Sequence, residues 1–220
     1  MGLIYSGKLW MIQRFISGFS NNSFLVTCKR TKKSIIIDTP ADPVDLLKSS
    51  KNFHIVGILI THGHSDHLEG FKDVYDRHQV PVGIGNNDIN SLPLIPKDYI
   101  NVNDGKINRF GDLVIRSIET PGHTAGSTCY FLPGESPGLE PHLFSGDTLF
   151  PGGPGKSSSY ANFLEIVKSI TTKIYTLPKH TYILPGHGEF ITLEDSTKEF
   201  NEFNNNPLDN KTFGNVKWIR

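Results

Sequence analysis

Cysteine is almost absent from this 220-residue chain: only Cys28 and Cys129 occur, far apart and in no paired motif. That excludes a disulfide framework and makes a reduced, cytoplasmic compartment the expectation. An excess of charge of either sign is lacking too. Lysine plus arginine number 22, and so do aspartate plus glutamate. Such a balance leaves no net field to draw in nucleic acid or an anionic membrane, so neither is expected as a partner. The basic run "CKRTKK" (28–33) reads as a solvated hairpin tip. No apolar run reaches the length of a bilayer span, and the opening "MGLIYSGKLWMIQRF" has neither an h-region nor a cleavage site. Gly2 and Ser6 fit the loose N-myristoylation pattern, but the alternating character of "LIYSGKLWMIQRF" reads as a first β-strand. Repeats of solenoid period are missing, as are low-complexity tracts beyond three asparagines.

Histidine, by contrast, is crowded. "ILITHGHSDHLEG" (58–70) places His62, His64, Asp66 and His67 within six positions, at the end of an apolar run of strand length. Residues two apart share one side of an extended segment but not of a helix, so His62, His64 and Asp66 form no helical zinc motif. Two imidazoles make half a site, and N/O sites for borderline divalent cations need three or four donors.

The remaining pattern supplies them. "SFLVTCKR", "KSIIIDT", "HIVGILI", "VPVGIG", "STCYFLPG", "PHLFSGD" and "TYILPGHGEF" are apolar, β-branched or aromatic runs, which predicts strands. "NVNDGKINRFGDLVIRSIET" reads as a hairpin pair turning at Asp104-Gly105 and Gly111-Asp112. Helices are expected over "PVDLLKSS" with Asp42 as N-cap, over "HLEGFKDVYDRH", over "YANFLEIVKSITTKIY" with Ser159 as N-cap, and over "LEDSTKEFNEF". "TLFPGGPGKSSS" reads as a long loop. Strand after strand ends in a loop bearing His or Asp: His62–His67, His123, Asp147, His187. Ligand sites of α/β folds collect at such strand ends.

His62, His64, Asp66, His67, His123, Asp147 and His187 make seven candidate metal ligands, too many for one ion. They divide into two ions with three terminal ligands each and one bridging carboxylate. Paired ions of this kind sit about 3.5–4 Å apart and activate a shared water at neutral pH. His54, His78, His142 and His180 lack that context and read as structural or exposed.

With "THGHSDH" (61–67), "TPGHTAGS" (120–127), "SGDTLFPGGPGKS" (145–157) and "LPGHGE" (184–189), the chain resembles the metallo-β-lactamase-fold hydrolases over about residues 10 to 190. Within them it is similar to the glyoxalase II (hydroxyacylglutathione hydrolase) branch. The resemblance implies an α/β fold, a four-layer αβ/βα sandwich with metals at one edge. It implies His62, His64 and His123 around a first ion, Asp66, His67 and His187 around a second, and Asp147 bridging. Two divalent cations are implied, zinc ahead of iron or manganese, with Asp66 catalytic and a metal-bridging hydroxide attacking a small thioester or ester. Gly155-Lys156 matches a glutathione-contacting Gly-Lys of that branch, making Lys156 the candidate substrate contact, although the next residue is serine where the branch carries an aromatic.

Residues 188–220 are too few for that branch's C-terminal helical domain, which implies a short form, and "NNNPLD" (204–209) is similar to the Asn-Pro ending of its short members. The expected division is a catalytic domain over 1–192, with 193–220 as a helix and tail packed on it. Alternatives on the same scaffold are a mononuclear-iron persulfide dioxygenase, a phosphodiesterase and a lactonase; a metal-binding protein without catalysis is a third class.

Overall fold

The computed structural model describes residues 2–134, 140–205, 209 and 211–218. Asn206, Pro207 and Leu208 of the "NNNPLD" motif lie outside them. Its first half forms β1 (Gly2–Ser6), β2 (Trp10–Ser17), β3 (Asn21–Cys28), β4 (Lys33–Ile37), α1 (Val44–Ser50), β5 (His54–Leu59), α2 (Phe71–His78) and β6 (Val82–Gly83). The six strands make one sheet in sequence order, antiparallel from β1 to β4 and parallel from β4 to β6.

The second half adds β7 (Ile107–Phe110), β8 (Leu113–Glu119), β9 (Thr128–Leu132), β10 (His142–Gly146), the ribbon β11 (Leu149–Phe150) and β12 (Gly153–Pro154), α3 (Tyr160–Ser169), β13 (Tyr182–Pro185), β14 (Ile191–Thr192) and α4 (Leu193–Asn204). Its main sheet runs β14-β13-β10-β9-β8-β7. Only β10–β13 is parallel there, because α3 carries the chain over the outer face between them.

The four layers follow from strands that are apolar on both faces. Side chains alternate across a strand. On β3 and β4, Phe24, Val26, Ile35 and Ile37 face the second sheet, where they meet Tyr130, Leu132, Phe144 and Leu184. The intervening Leu25 and Ile36 turn outward onto Leu46 of α1 and Phe71 and Val74 of α2. The second sheet repeats the scheme, with Cys129, Leu143 and Ile183 turned out onto Phe163 and Ile166 of α3, Leu193 of α4 and Trp218 of the tail. Strands covered on both sides need continuous apolar runs, which is what "KSIIID" and "HIVGILI" are. The two sheets also bond to each other: the Tyr130 hydroxyl donates to the Ile60 carbonyl at 2.8 Å, and the Thr128 N–H to the Thr61 carbonyl at 2.8 Å.

Four expectations change in detail. "LIYSGKLWMIQRF" is two strands, since the Gly7 N–H bonds the Trp10 carbonyl at 3.0 Å and folds the chain into a hairpin. Asp42 does not cap α1. Its φ of 51° is left-handed, far from the extended backbone that an N-cap needs, and Pro43 occupies that position. The helix expected from His67 begins only at Phe71, after a 3₁₀ turn at Ser65–His67. The backbone between them is taken by bonds to the loop after β4: Thr39 N–H to the His67 carbonyl at 3.0 Å, and Gly70 N–H to the Thr39 carbonyl at 2.9 Å. Finally, β7 and β8 form one hairpin around Gly111-Asp112; the Asp104-Gly105 turn opens it without a strand before it. The Ser159 cap is as expected, its side chain accepting from the Asn162 N–H at 3.2 Å.

Candidate metal centre

β4, β5, β8, β10 and β13 all end at one edge of the sandwich, and the loops that follow carry Asp38, His62–His67, His123, Asp147 and His187. β3 runs opposite to β4, so its first residues, Asn21 and Asn22, start at that same edge. All seven expected ligands converge there. Donor atoms of His62, His64 and His123 lie within 4.8 Å of one another, as do those of Asp66, His67 and His187, and those of His62, His67 and Asp147. Asp147 stands between the two histidine groups, 3.6 Å from His123 Nε2, and 3.5 Å from both His67 Nε2 and His187 Nε2.

Each buried imidazole is oriented from behind. His62 Nδ1 donates to the Thr61 hydroxyl (3.1 Å), His67 Nδ1 to Asp38 (3.1 Å), His123 Nδ1 to the Lys156 carbonyl (2.8 Å) and His187 Nδ1 to the Phe19 carbonyl (3.3 Å). With Nδ1 protonated, the neutral form of each of the four rings turns a lone pair on Nε2 toward the centre. Outer partners of this kind fix the tautomer of a metal-binding histidine.

Three of the inner atoms have nothing from the protein to satisfy them. His62 Nε2, His123 Nε2 and Asp147 Oδ1 are buried without a hydrogen-bond partner. Burying an unsatisfied polar atom costs about 1–3 kcal/mol. His67 Nε2 and His187 Nε2 approach to 3.1 Å, so a proton or a cation has to lie between them. Orphaned acceptors pointing at shared points fit cations, and a set of imidazole and carboxylate donors suits zinc, iron or manganese.

The electrostatics agree. Burial, then repulsion from His67, holds the His62 pKa well below the usual imidazole value. Burial also depresses His123. At His67, burial is outweighed by the carboxylates of Asp147 and Asp38, which raise its pKa to about 10. Burial would raise Asp147, but His67 and the other imidazoles hold it well below the carboxylate range. Without a cation, the site's negative charge thus holds a proton on His67.

Four supporting residues escaped the sequence reading. Asp38 accepts from the Thr61 N–H and hydroxyl, both at 2.7 Å, as well as from His67. It closes the run "KSIIID", so the rule of an acid at a strand end already pointed to it. Asp88, 7% exposed in the 3₁₀ turn Asn86–Ser91, accepts from Gly63 N–H (2.7 Å), Gly126 N–H (2.9 Å) and the Thr124 hydroxyl (2.6 Å). It clips the loop of His62 and His64 to that of His123, and "NNDIN" carries no signal for this. Asn21 donates to Asp66 at 3.0 Å, and Asn22 to the carbonyls of Pro185 (2.9 Å) and Gly188 (3.0 Å), holding the His187 loop. Gly186 passes so close to Asp147 and His67 that a β-carbon there would overlap both.

The chain matches the model of the Metallo-beta-lactamase superfamily over residues 16–187, from β2 through the last of these histidines. The chain belongs to that superfamily. Curated relatives include the probable polyketide biosynthesis zinc-dependent hydrolase BaeB of Bacillus velezensis, 30% identical over 82% of this chain and 78% of that protein. A hydroxyacylglutathione hydrolase of Prochlorococcus marinus is 35% identical over 70% of this chain and 61% of its own length. Among solved structures, a metallo-beta-lactamase from Staphylococcus aureus superposes with a TM-score of 0.77 at 26% identity, covering 88% of this chain and 62% of that one. ETHE1 from Myxococcus xanthus, at 23% identity and a TM-score of 0.71, shares the fold. The superfamily's metallohydrolase sandwich, with glyoxalase II-like homologues, is therefore the fold of this chain. Among the described residues no helix is long and apolar enough to cross a membrane.

Proposed function

We propose that this superfamily member hydrolyses a small thioester or ester with two divalent cations, zinc first among them. His62, His64 and His123 would hold one, Asp66, His67 and His187 the other, with Asp147 reaching both. The observation that carries this reading is the set of overlapping donor groups, with the inner atoms of His62, His123 and Asp147 left unsatisfied by the protein. When bound, the cations supply an acidified water and a Lewis acid for the carbonyl oxygen.

The protein's own part is positional. Asn21 fixes Asp66 Oδ2, which leaves the other carboxylate oxygen to align the attacking water. The bonds behind His62, His67, His123 and His187 keep the ring planes from turning as charge builds at the carbonyl, so little reorganisation is needed. Substrate enters a cleft of about 430 Å³ lined by His123, Asp147, Phe150, Lys156 and His187. The names of the relatives support a thioester: hydroxyacylglutathione hydrolases are 35% and 31% identical over 70% and 80% of this chain.

Metal-loaded protein should cleave at least one member of a panel of acyl thioesters and lactones, and lose that activity to a chelator. Protein carrying two equivalents of metal but inert across the panel would remove the hydrolase reading. Lys156→Ala should raise KM about fivefold and change kcat by less than twofold, as expected for an exposed lysine gripping an anion in ground and transition states alike. The carbonyl of residue 156, which accepts from His123, survives the substitution, so an unchanged KM would place the side chain outside the site.

A further inference from the structure

The cleft beside His123, Asp147 and His187 has a wall that none of the signature loops supplies: Asn215, Val216 and Lys217 of the C-terminal tail. The tail is anchored on both sides of these residues. Gly214 and Ser157 exchange two backbone hydrogen bonds of 3.0 and 3.1 Å, and the Trp218 N–H donates to the Gly152 carbonyl at 2.8 Å. Trp218 is itself 3% exposed, its ring 5.0 Å from that of Phe200 on α4. The segment is thus fastened along the Gly/Pro loop that forms the opposite wall.

Two lysines line this cleft, Lys156 from the loop and Lys217 from the tail, and both are exposed. No carboxylate among the described residues pairs with either. The nearby acids are engaged elsewhere: Glu199 accepts from the Gly152 N–H, and Asp66 and Asp147 lie among the imidazoles. The lining shared with the lysines and the ligand cluster includes the apolar Phe150, Pro151, Pro154 and Val216. A cleft lined by donor atoms for cations, by apolar side chains and by two ammonium groups with no carboxylate partner among the described residues fits a substrate that combines a carbonyl, an apolar part and an anion.

We infer that Lys217 is a specificity-determining residue which, with Lys156, selects esters or thioesters carrying an anionic group separated from the scissile carbonyl by a short apolar stretch. This rests on the hydrolase reading for its chemistry, but its anion site exists independently of turnover. Lysine presents a point charge rather than a planar fork, so charge is selected more strongly than shape.

The test uses two pairs of thioesters on metal-loaded full-length protein. One pair carries a carboxylate on the thiol side (S-acetyl-3-mercaptopropionate), the other on the acyl side (S-methyl monothiosuccinate), each beside its neutral methyl ester. In at least one pair the carboxylate form should have a KM about tenfold lower than its methyl ester. Lys217→Glu should remove that preference by raising the KM of the anionic form, Lys217→Arg should keep it, and the neutral form's KM should move by less than twofold. An exposed charge pair is worth up to about 1 kcal/mol, a factor of about five, and reversal of the charge about doubles it in energy. Equal KM values within both pairs, or a preference that survives Lys217→Glu, would overturn the inference. Should the wild type cleave none of the four, the hydrolase reading stands or falls with the wider panel, and calorimetry decides the anion site. Binding of the thioether analogue of either carboxylate that weakens at least fivefold in Lys217→Glu supports the inference; equal binding of both, or binding of neither, overturns it.

Discussion

Asp147→Ala should lower kcat/KM at least a thousandfold and leave fewer than two ions per chain. Among the described residues Asp147 is the one carboxylate within 3.6 Å of histidines from both donor groups, His123 on one side and His67 and His187 on the other. Its removal leaves two sets of three donors with nothing between them to offset the repulsion of neighbouring cations. The stabilisation of transition-state charge by metal is worth several kcal/mol, and each 1.36 kcal/mol is tenfold in rate. Steady-state kinetics beside elemental analysis of one preparation checks this. Turnover near wild type with two ions bound would show that the aspartate bridges nothing.

Asp38→Ala should cost about 3–5 kcal/mol of stability, the range for breaking a buried charged pair by removing one partner. The substitution strips acceptors from the Thr61 N–H, the Thr61 hydroxyl and His67, and places alanine at a left-handed φ of 57°. For a chain of this size that is a fall in Tm of about 10 °C. Asp38→Asn separates stability from site chemistry. An amide can still accept from the Thr61 N–H, but its NH₂ group opposes the His67 Nδ1–H and turns that ring to the wrong tautomer. Metal affinity should then fall about 10- to 100-fold while Tm falls less than in the alanine variant. Thermal melts and competitive chelator titration report the two effects separately, and unchanged metal affinity in Asp38→Asn would remove Asp38 from the support of the site.

What was legible in the sequence was local. His62, His64, Asp66 and His67 sit in one loop, and "PGHT", "SGDT" and "PGHG" each follow an apolar run, so strand-end logic gathers them without knowledge of the fold. The four layers came from the resemblance of the signature loops to a known family; the apolar run "HIVGILI" marked a strand covered on both faces, but the order of strands in the two sheets rests on pairings between distant segments. What escaped depends on contacts between distant segments. Asn21 and Asn22, just before the run "SFLVTCKR", carry no signal of their own because their partners, Asp66 and the His187 loop, arrive from 45 and more than 160 positions away. Asp88 is one polar residue in a polar loop until three donors from two other loops meet it. Asp42 misled because helix-cap chemistry was inferred from residue type, whereas its left-handed backbone decides the matter. The tail, with no periodicity of its own, owes its path to Ser157, Gly152 and the pocket for Trp218.

The claim beneath all of this is that the cluster exists to hold two cations. Crystals of the protein grown with zinc, with anomalous scattering recorded at the metal edge, address it directly. Two peaks about 3.5–4 Å apart, one among His62, His64 and His123, the other among Asp66, His67 and His187, with Asp147 touching both, are the expected result. A cluster that stays without anomalous density in excess zinc, its imidazoles bonded only to one another and to water, would contradict it.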